Sequence, residues 1–272
     1  MSGSFATMVS GMTRLASVLL MSLFPVYALA ADATIGVVVM HGKWGSPERI
    51  VNVFADALQK QGYLVANPEM PWSRRRAYDK GVEGADAEID AEIAKLHNRG
   101  AKQIFLAGHS LGAAYALHYA ASTALSGIIA IAPGHRPEGK VYLDMLAGAV
   151  KTARELVASQ KGDELVSFTD LNSGNRRESF KAVATAFLSY FDPAGPMNMT
   201  RNVALVKAGT PVLWMVPTRE EQPARGFVAA YYDKLPSHPG NKFVEPDSDH
   251  LNAPDAATPQ AINWLRATAA KN

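Results

Sequence analysis

Five residues, Gly108-His109-Ser110-Leu111-Gly112, have the types and spacing to do nucleophilic chemistry. They follow the apolar run Gln103 to Ala107 and precede the small-residue helical stretch Ala113 to Leu117. A strand, a G-x-S-x-G turn and a helix in that order make a sharp elbow that presents the serine hydroxyl at the strand's C-terminal end. The turn is so tight that bulky side chains two residues either side would clash, and Gly108 and Gly112 relieve that crowding. The N-terminus of the following helix favours developing negative charge.

A serine hydroxyl is a weak nucleophile at neutral pH. It needs a base within hydrogen-bond reach and an acid to orient that base. Seven histidines compete for the base role. His41 belongs to the loop after the first strand, and His97 and His118 lie on helices. His109 is inside the elbow, expected to point away from the serine's exposed side. His135 opens an inserted segment, and His238 precedes the last strand. His250, in Asp247-Ser248-Asp249-His250-Leu251-Asn252, follows the last strand and so shares an edge with Ser110. It is the candidate base.

The acid should lie between Ser110 and His250 in sequence, after a core strand. Glu220, in the loop after Pro211 to Val216, is the first choice, with Glu221 and Asp192 as alternatives. Two backbone N–H groups must receive the oxyanion. Leu111, next to the nucleophile, should supply one. Lys43, in the loop His41-Gly42-Lys43-Trp44-Gly45, should supply the other, its side chain free to turn outward. Trp44, Met70 and Trp72 are candidates to line a substrate pocket. The run Arg74-Arg75-Arg76 could recognise a carboxylate or phosphate, or could be a solvated loop.

The elements that must position these residues are legible as buried strands alternating with amphipathic helices. Strands are expected at Ile35 to Met40, Gly62 to Ala66, Gln103 to Ala107, Gly127 to Ala132, Pro211 to Val216 and Lys242 to Glu245. Helices are expected from Ser46-Pro47-Glu48 onward, over Ala85 to Leu96, after Ser110, over Ala224 to Leu235 and over Pro259 to Ala270. This alternation predicts a mostly parallel sheet of about six strands covered on both faces. Residues 134–205 interrupt the rhythm and should form a small helical cap, with helices at Val141 to Ser159 and Ser179 to Leu188 joined by the polar segment Thr169 to Arg177.

Residues 1–30 read as a secretory signal peptide. Arg14 precedes the apolar run Leu15 to Val26, and Ala28-Leu29-Ala30 offers a cleavage site. The expectation is a periplasmic or secreted protein with no stable membrane anchor after cleavage. The chain of 272 residues has no cysteine, which excludes a thiol nucleophile, a thiolate metal site and disulfide staples. A formal charge of +2 argues for no nucleic-acid partner. No metal-ligand or phosphate-loop motif is present, so no cofactor is implied.

The order His41-Gly42, Gly108-His109-Ser110-Leu111-Gly112, an acid near Glu220, then His250 resembles the α/β-hydrolase superfamily over nearly all of the expected mature chain. Members typically carry a Gly, two residues and an Asp where this chain has Pro217-Thr218-Arg219-Glu220. Too few residues separate Ala30 from the strand Ile35 to Met40 for the two antiparallel strands that usually open the fold, so a reduced sheet is expected. The resemblance implies a serine hydrolase that cleaves carboxylic esters through an acyl-enzyme. An amidase, peptidase or thioesterase would use the same parts. A non-catalytic periplasmic binding or accessory protein on the same scaffold is the reading from another class.

Overall fold

The computed structural model describes residues 35–172, 176–220 and 224–270, together with Met1 and Gly3. The expected leader, residues 1–30, and the alternative acid Glu221 therefore lie outside the described residues, Met1 and Gly3 excepted.

The chain runs β1 (Ile35–Met40), α1 (Asn52–Lys60), β2 (Leu64–Ala66), α2 (Val82–Asn98), β3 (Gln103–His109), α3 (Leu111–Ser122) and β4 (Gly127–Ile131). The inserted segment follows: α4 (Lys140–Ala158), β5 (Leu165–Asn172), β6 (Arg176–Val183), α5 (Ala184–Phe191) and α6 (Met199–Leu205). The core resumes with β7 (Val212–Met215), α7 (Ala224–Ala230), a 3-10 turn at Tyr232–Lys234, β8 (Lys242–Val244) and α8 (Ala253–Ala269). Six strands pair in the order β2-β1-β3-β4-β7-β8, all parallel.

Strand residues alternate between two apolar layers, as the two-residue pleat requires. Val37, Val39, Phe105, Ala107, Ile129 and Ile131 pack with Phe54 and Leu58 of α1 and Ala261 and Leu265 of α8. Val38, Met40, Leu106, Ile128, Ala130 and Trp214 face α2, α3 and the cap. Burial on both faces explains why these strands are continuous apolar runs.

From β1 the chain steps outward to β2, then crosses back to β3 on β1's other side. Successive connections therefore leave in opposite directions between β1 and β3. That reversal opens a crevice at the strands' carboxyl ends, where ligands of such sheets bind. Ser110 follows β3 there, and the loop His41 to Gly45 follows β1.

Several boundaries differ from the sequence expectation. Residues 46–51 form turns closed by Arg49 N–H to Ser46 O and Asn52 N–H to Arg49 O, so α1 begins at Asn52. Helix α8 begins before Pro259, with Pro254 in its first turn, where a missing N–H costs nothing. The cap is not purely helical. Ser179 to Val183 belongs to β6, and only Ala184 onward is helix. Phe180 and Ala182 are buried while Ser179 and Lys181 are exposed, a strand's period of two. Thr169 to Asn172 and Arg176 to Arg177 of the polar segment belong to an antiparallel pair with Phe168 opposite Phe180. Among the described residues no helix is long and apolar enough to cross a membrane.

Candidate active site

Ser110 has φ 56° and ψ −116°, a conformation L residues avoid. The backbone network holds it there. Its N–H donates to Ile131 O at 3.0 Å, and its carbonyl accepts from Ala113, Ala114 and Gly134, each at 3.1 Å. The flanking glycines are sterically required. A Cβ on Gly108 would lie 2.2 Å from the Gly112 carbonyl, and one on Gly112 would lie 2.5 Å from Met40 O. Gly134, which sequence reasoning missed, passes close to the Ser110 hydroxyl: a Cβ there would sit 3.1 Å from Ser110 Oγ.

His250 stands in the loop after β8. Its Nδ1 lies 2.8 Å from Glu220 Oε2, with side-chain exposures of 21% and 13%. Two loops must meet to make this pair, and backbone bonds join them. Thr218 N–H donates to Pro246 O and Arg219 N–H to Ser248 O, both at 3.0 Å. Glu220 N–H then closes a turn on Pro217 O at 3.1 Å. Pro217 thus occupies a turn position that needs only its carbonyl. Arg219 pairs with Asp247 across the two loops. Asp249 caps its own turn, accepting from the Leu251 and Asn252 N–H groups.

His109 does not simply point away. Its Nε2–H donates to His250 O at 2.8 Å, and the two rings lie 4.8 Å apart. Burial and the neighbouring His250 hold His109 neutral, its pKa lowered to about 3. His41 is also buried. Its Nε2 accepts the Met70 N–H at 3.0 Å, which leaves Nδ1–H to donate to Gly42 O at 2.8 Å. Burial lowers its pKa to about 4.

The loop after β1 carries a second strained residue, Trp44, at φ 55°. Its N–H donates to Trp72 O at 2.9 Å, and the Gly45 N–H donates to Gly42 O at 3.1 Å. The N–H groups of Lys43 and Leu111 make no such bond among the described residues. The Lys43 side chain corrects the expectation that it turns outward. Its Nζ donates to Asp170 Oδ1 at 2.7 Å, Leu171 O at 2.8 Å and Tyr142 Oη at 2.9 Å, all in the cap. Burial alone disfavours its ammonium; the Asp170 carboxylate outweighs that and holds Lys43 above the ordinary lysine value.

Ser110 and His250 line one cavity of about 350 Å³, with residues of the His41 to Ser46 loop, Arg49, Ile50, Asn172 and Leu251. Trp44 is part of its wall. Met70 and Trp72 are not, which corrects the pocket expectation. Both are fully buried, and Trp72 Nε1 donates to His41 O at 2.8 Å, so they brace the loop from behind. Asp192 is committed elsewhere, bound through both oxygens by Arg154 at 2.7 and 2.9 Å. Arg74, Arg75 and Arg76 are paired with Glu178, Glu69 and Glu88. A larger cleft of about 490 Å³ runs along α4 but holds neither Ser110 nor a histidine, so chemistry selects the smaller cavity. Among the described residues no cluster of three or more histidines and carboxylates is placed to hold a metal.

A family model described as the alpha/beta hydrolase family matches residues 37–262. The chain belongs to that family. This alpha/beta hydrolase overlays a structure from work on LipS and LipT, two metagenome-derived lipolytic enzymes, with a TM-score of 0.60 at 18% identity; 87% of this chain and 95% of that chain are covered. It overlays the Paleococcus ferrophilus monoacylglycerol lipase at 0.58 and 19% identity, covering 86% and 94%. It overlays Est1E from Butyrivibrio proteoclasticus at 0.52 and 16% identity, covering 86% and 90%. Identities this low establish the hydrolase's fold. Comparison with curated protein sequences gives no match.

Proposed function

We propose that this alpha/beta hydrolase cleaves carboxylic esters through an acyl-enzyme formed on Ser110. The observation that carries the reading is the His250–Glu220 contact of 2.8 Å beside a serine held at φ 56° in the same cavity as His250. Glu220 accepts the Nδ1–H of His250, which leaves the Nε2 lone pair to take the Ser110 proton. Ser110 Oγ attacks the carbonyl, and the Lys43 and Leu111 N–H groups receive the oxyanion. His250 then returns the proton to the leaving alcohol, and water repeats the cycle on the acyl-enzyme. His109 acts indirectly, holding the His250 backbone.

Lipolytic and esterase neighbours favour esters over amides or thioesters, which the same groups could cleave. Export to the periplasm or medium is part of the proposal and rests on the leader read in residues 1–30; the mature N-terminus, sequenced from the exporting cell, tests it. The activity test is fluorophosphonate labelling together with nitrophenyl ester turnover. The wild type should label at Ser110, and Ser110→Ala should lose label and about 10⁴-fold or more in turnover. Near-normal turnover by Ser110→Ala would overturn the reading.

A further inference from the structure

We propose that the substrate of the Ser110 cavity is a small ester carrying a carboxylate, and that Arg49 binds that carboxylate. The inference rests on the hydrolase reading above and names its substrate class.

The charges around the cavity support it. Among the described residues, no carboxylate lines it. Lys43 spends its three donors on Asp170, Leu171 O and Tyr142. His41 and His109 are buried and each is held by a backbone carbonyl. Arg49 lines the same cavity, and its guanidinium makes no hydrogen bond or ion pair among the described residues. Its sequence neighbour Glu48 engages Ser46 and feels Arg75. The basic run on the adjoining loop is paired with Glu178, Glu69 and Glu88. Among the described residues, Arg49 is thus an exposed lining residue whose positive charge has no carboxylate beside it, and a guanidinium can take a carboxylate through two parallel bonds.

The remaining wall fits the rest of such a molecule. Ile50 and Leu251 also line the cavity, and at 41% and 58% exposure they offer it apolar surface that an aliphatic chain can cover. About 350 Å³ is at the small end of ligand cavities. A short aliphatic chain between Ile50 and Leu251, ester carbonyl at Ser110 and terminal carboxylate at Arg49, meets all three features. Hydrolysis consumes one water, breaks the acyl C–O bond and releases an alcohol and a dicarboxylate.

Two matched esters test this. Monoethyl adipate and ethyl hexanoate share chain length and leaving group and differ in the terminal carboxylate. The wild type should favour monoethyl adipate in kcat/KM by about tenfold or more, mainly through KM, and added salt should shrink that preference. Arg49→Gln should collapse the ratio, and Arg49→Lys should keep part of it. Titration of adipate into the Ser110→Ala protein gives an arm without catalysis: binding should be measurable and should weaken about tenfold in Ser110→Ala/Arg49→Gln. Equal kcat/KM for the two esters, or a ratio unchanged by Arg49→Gln, overturns the inference while leaving the hydrolase reading intact. Adipate binding through Arg49 with no Ser110 labelling would sink the hydrolase reading and keep the anion subsite.

Discussion

Lys43 Nζ lies 2.7 Å from Asp170 Oδ1, and the two side chains are 6% and 0% exposed. A residue of the loop after β1 is thus fastened inside the β5–β6 hairpin of the cap. Asp170 is further held by Tyr78 Oη at 3.1 Å and by the Leu171 N–H at 2.6 Å. A buried ion pair and two hydrogen bonds therefore tie the backbone segment proposed to bind the oxyanion to the cap, whose Asn172 lines the cavity.

Breaking that pair from one side should be costly, because the other charge stays buried. Lys43→Met should lower unfolding free energy by about 3–5 kcal/mol. Lys43→Met/Asp170→Leu should be less destabilised than Lys43→Met alone, since no charge is then stranded. Urea unfolding of the four proteins in this cycle measures it. Additive losses would mean the two residues are not coupled.

The acid candidates separate by turnover. Glu220→Gln keeps the shape of the side chain but removes the charge that stabilises the imidazolium, so turnover should fall about 10²-fold or more. Asp192→Asn should cost less than about tenfold, because Asp192 serves Arg154 on the cap and not His250. The two single variants, assayed on one ester at saturating concentration, decide it. A large loss at Asp192 alone would reassign the acid.

Acid should destabilise the fold before its carboxylates titrate. His41 and His109 are lowered by burial to about 4 and about 3, and His135 is lowered well below the ordinary value by burial and Lys43. The unfolded chain, with histidines near 6.5, binds their protons first. Stability is therefore fully present above about pH 6.5 and is lost as pH falls toward the folded values. At pH 5 the loss is about 2 kcal/mol for each of His41 and His109. Asp192 and Glu88, lowered by Arg154 and Arg76, lose their contributions only at more acid pH. Urea midpoints at pH 7, 6 and 5 should decline steadily; a flat series over that window would show these rings are not buried as neutral bases.

Much of the site is written locally. The elbow at Ser110 needs only a strand, two glycines at fixed offsets and a helix, and all of these are contiguous. The place of His250 follows from chain order once β8 is recognised as the last strand. Glu220 is less local. Its meeting with His250 depends on bonds from Thr218 and Arg219 to Pro246 and Ser248, which are nearly thirty residues further along the chain. Composition identifies a carboxylate in the loop after β7, but the turn on Pro217 determines where its side chain points.

Legible from the chain alone is the set of contiguous devices: six parallel strands, the helices that alternate with them, and a serine elbow at the end of β3. Period-two and period-3.6 burial and steric turn requirements act between near neighbours, so they survive as local pattern. Tertiary structure alone decided the rest. Met70 and Trp72 became props behind His41 and not pocket wall. The stretch from Ser179 split between strand and helix because its buried positions alternate against Phe168. Lys43 turned into the cap, where Asp170 pairs with it, and Arg49 lines the cavity. Each outcome rests on contacts between segments far apart in the chain, and pairing of that kind leaves no periodic trace in either segment alone.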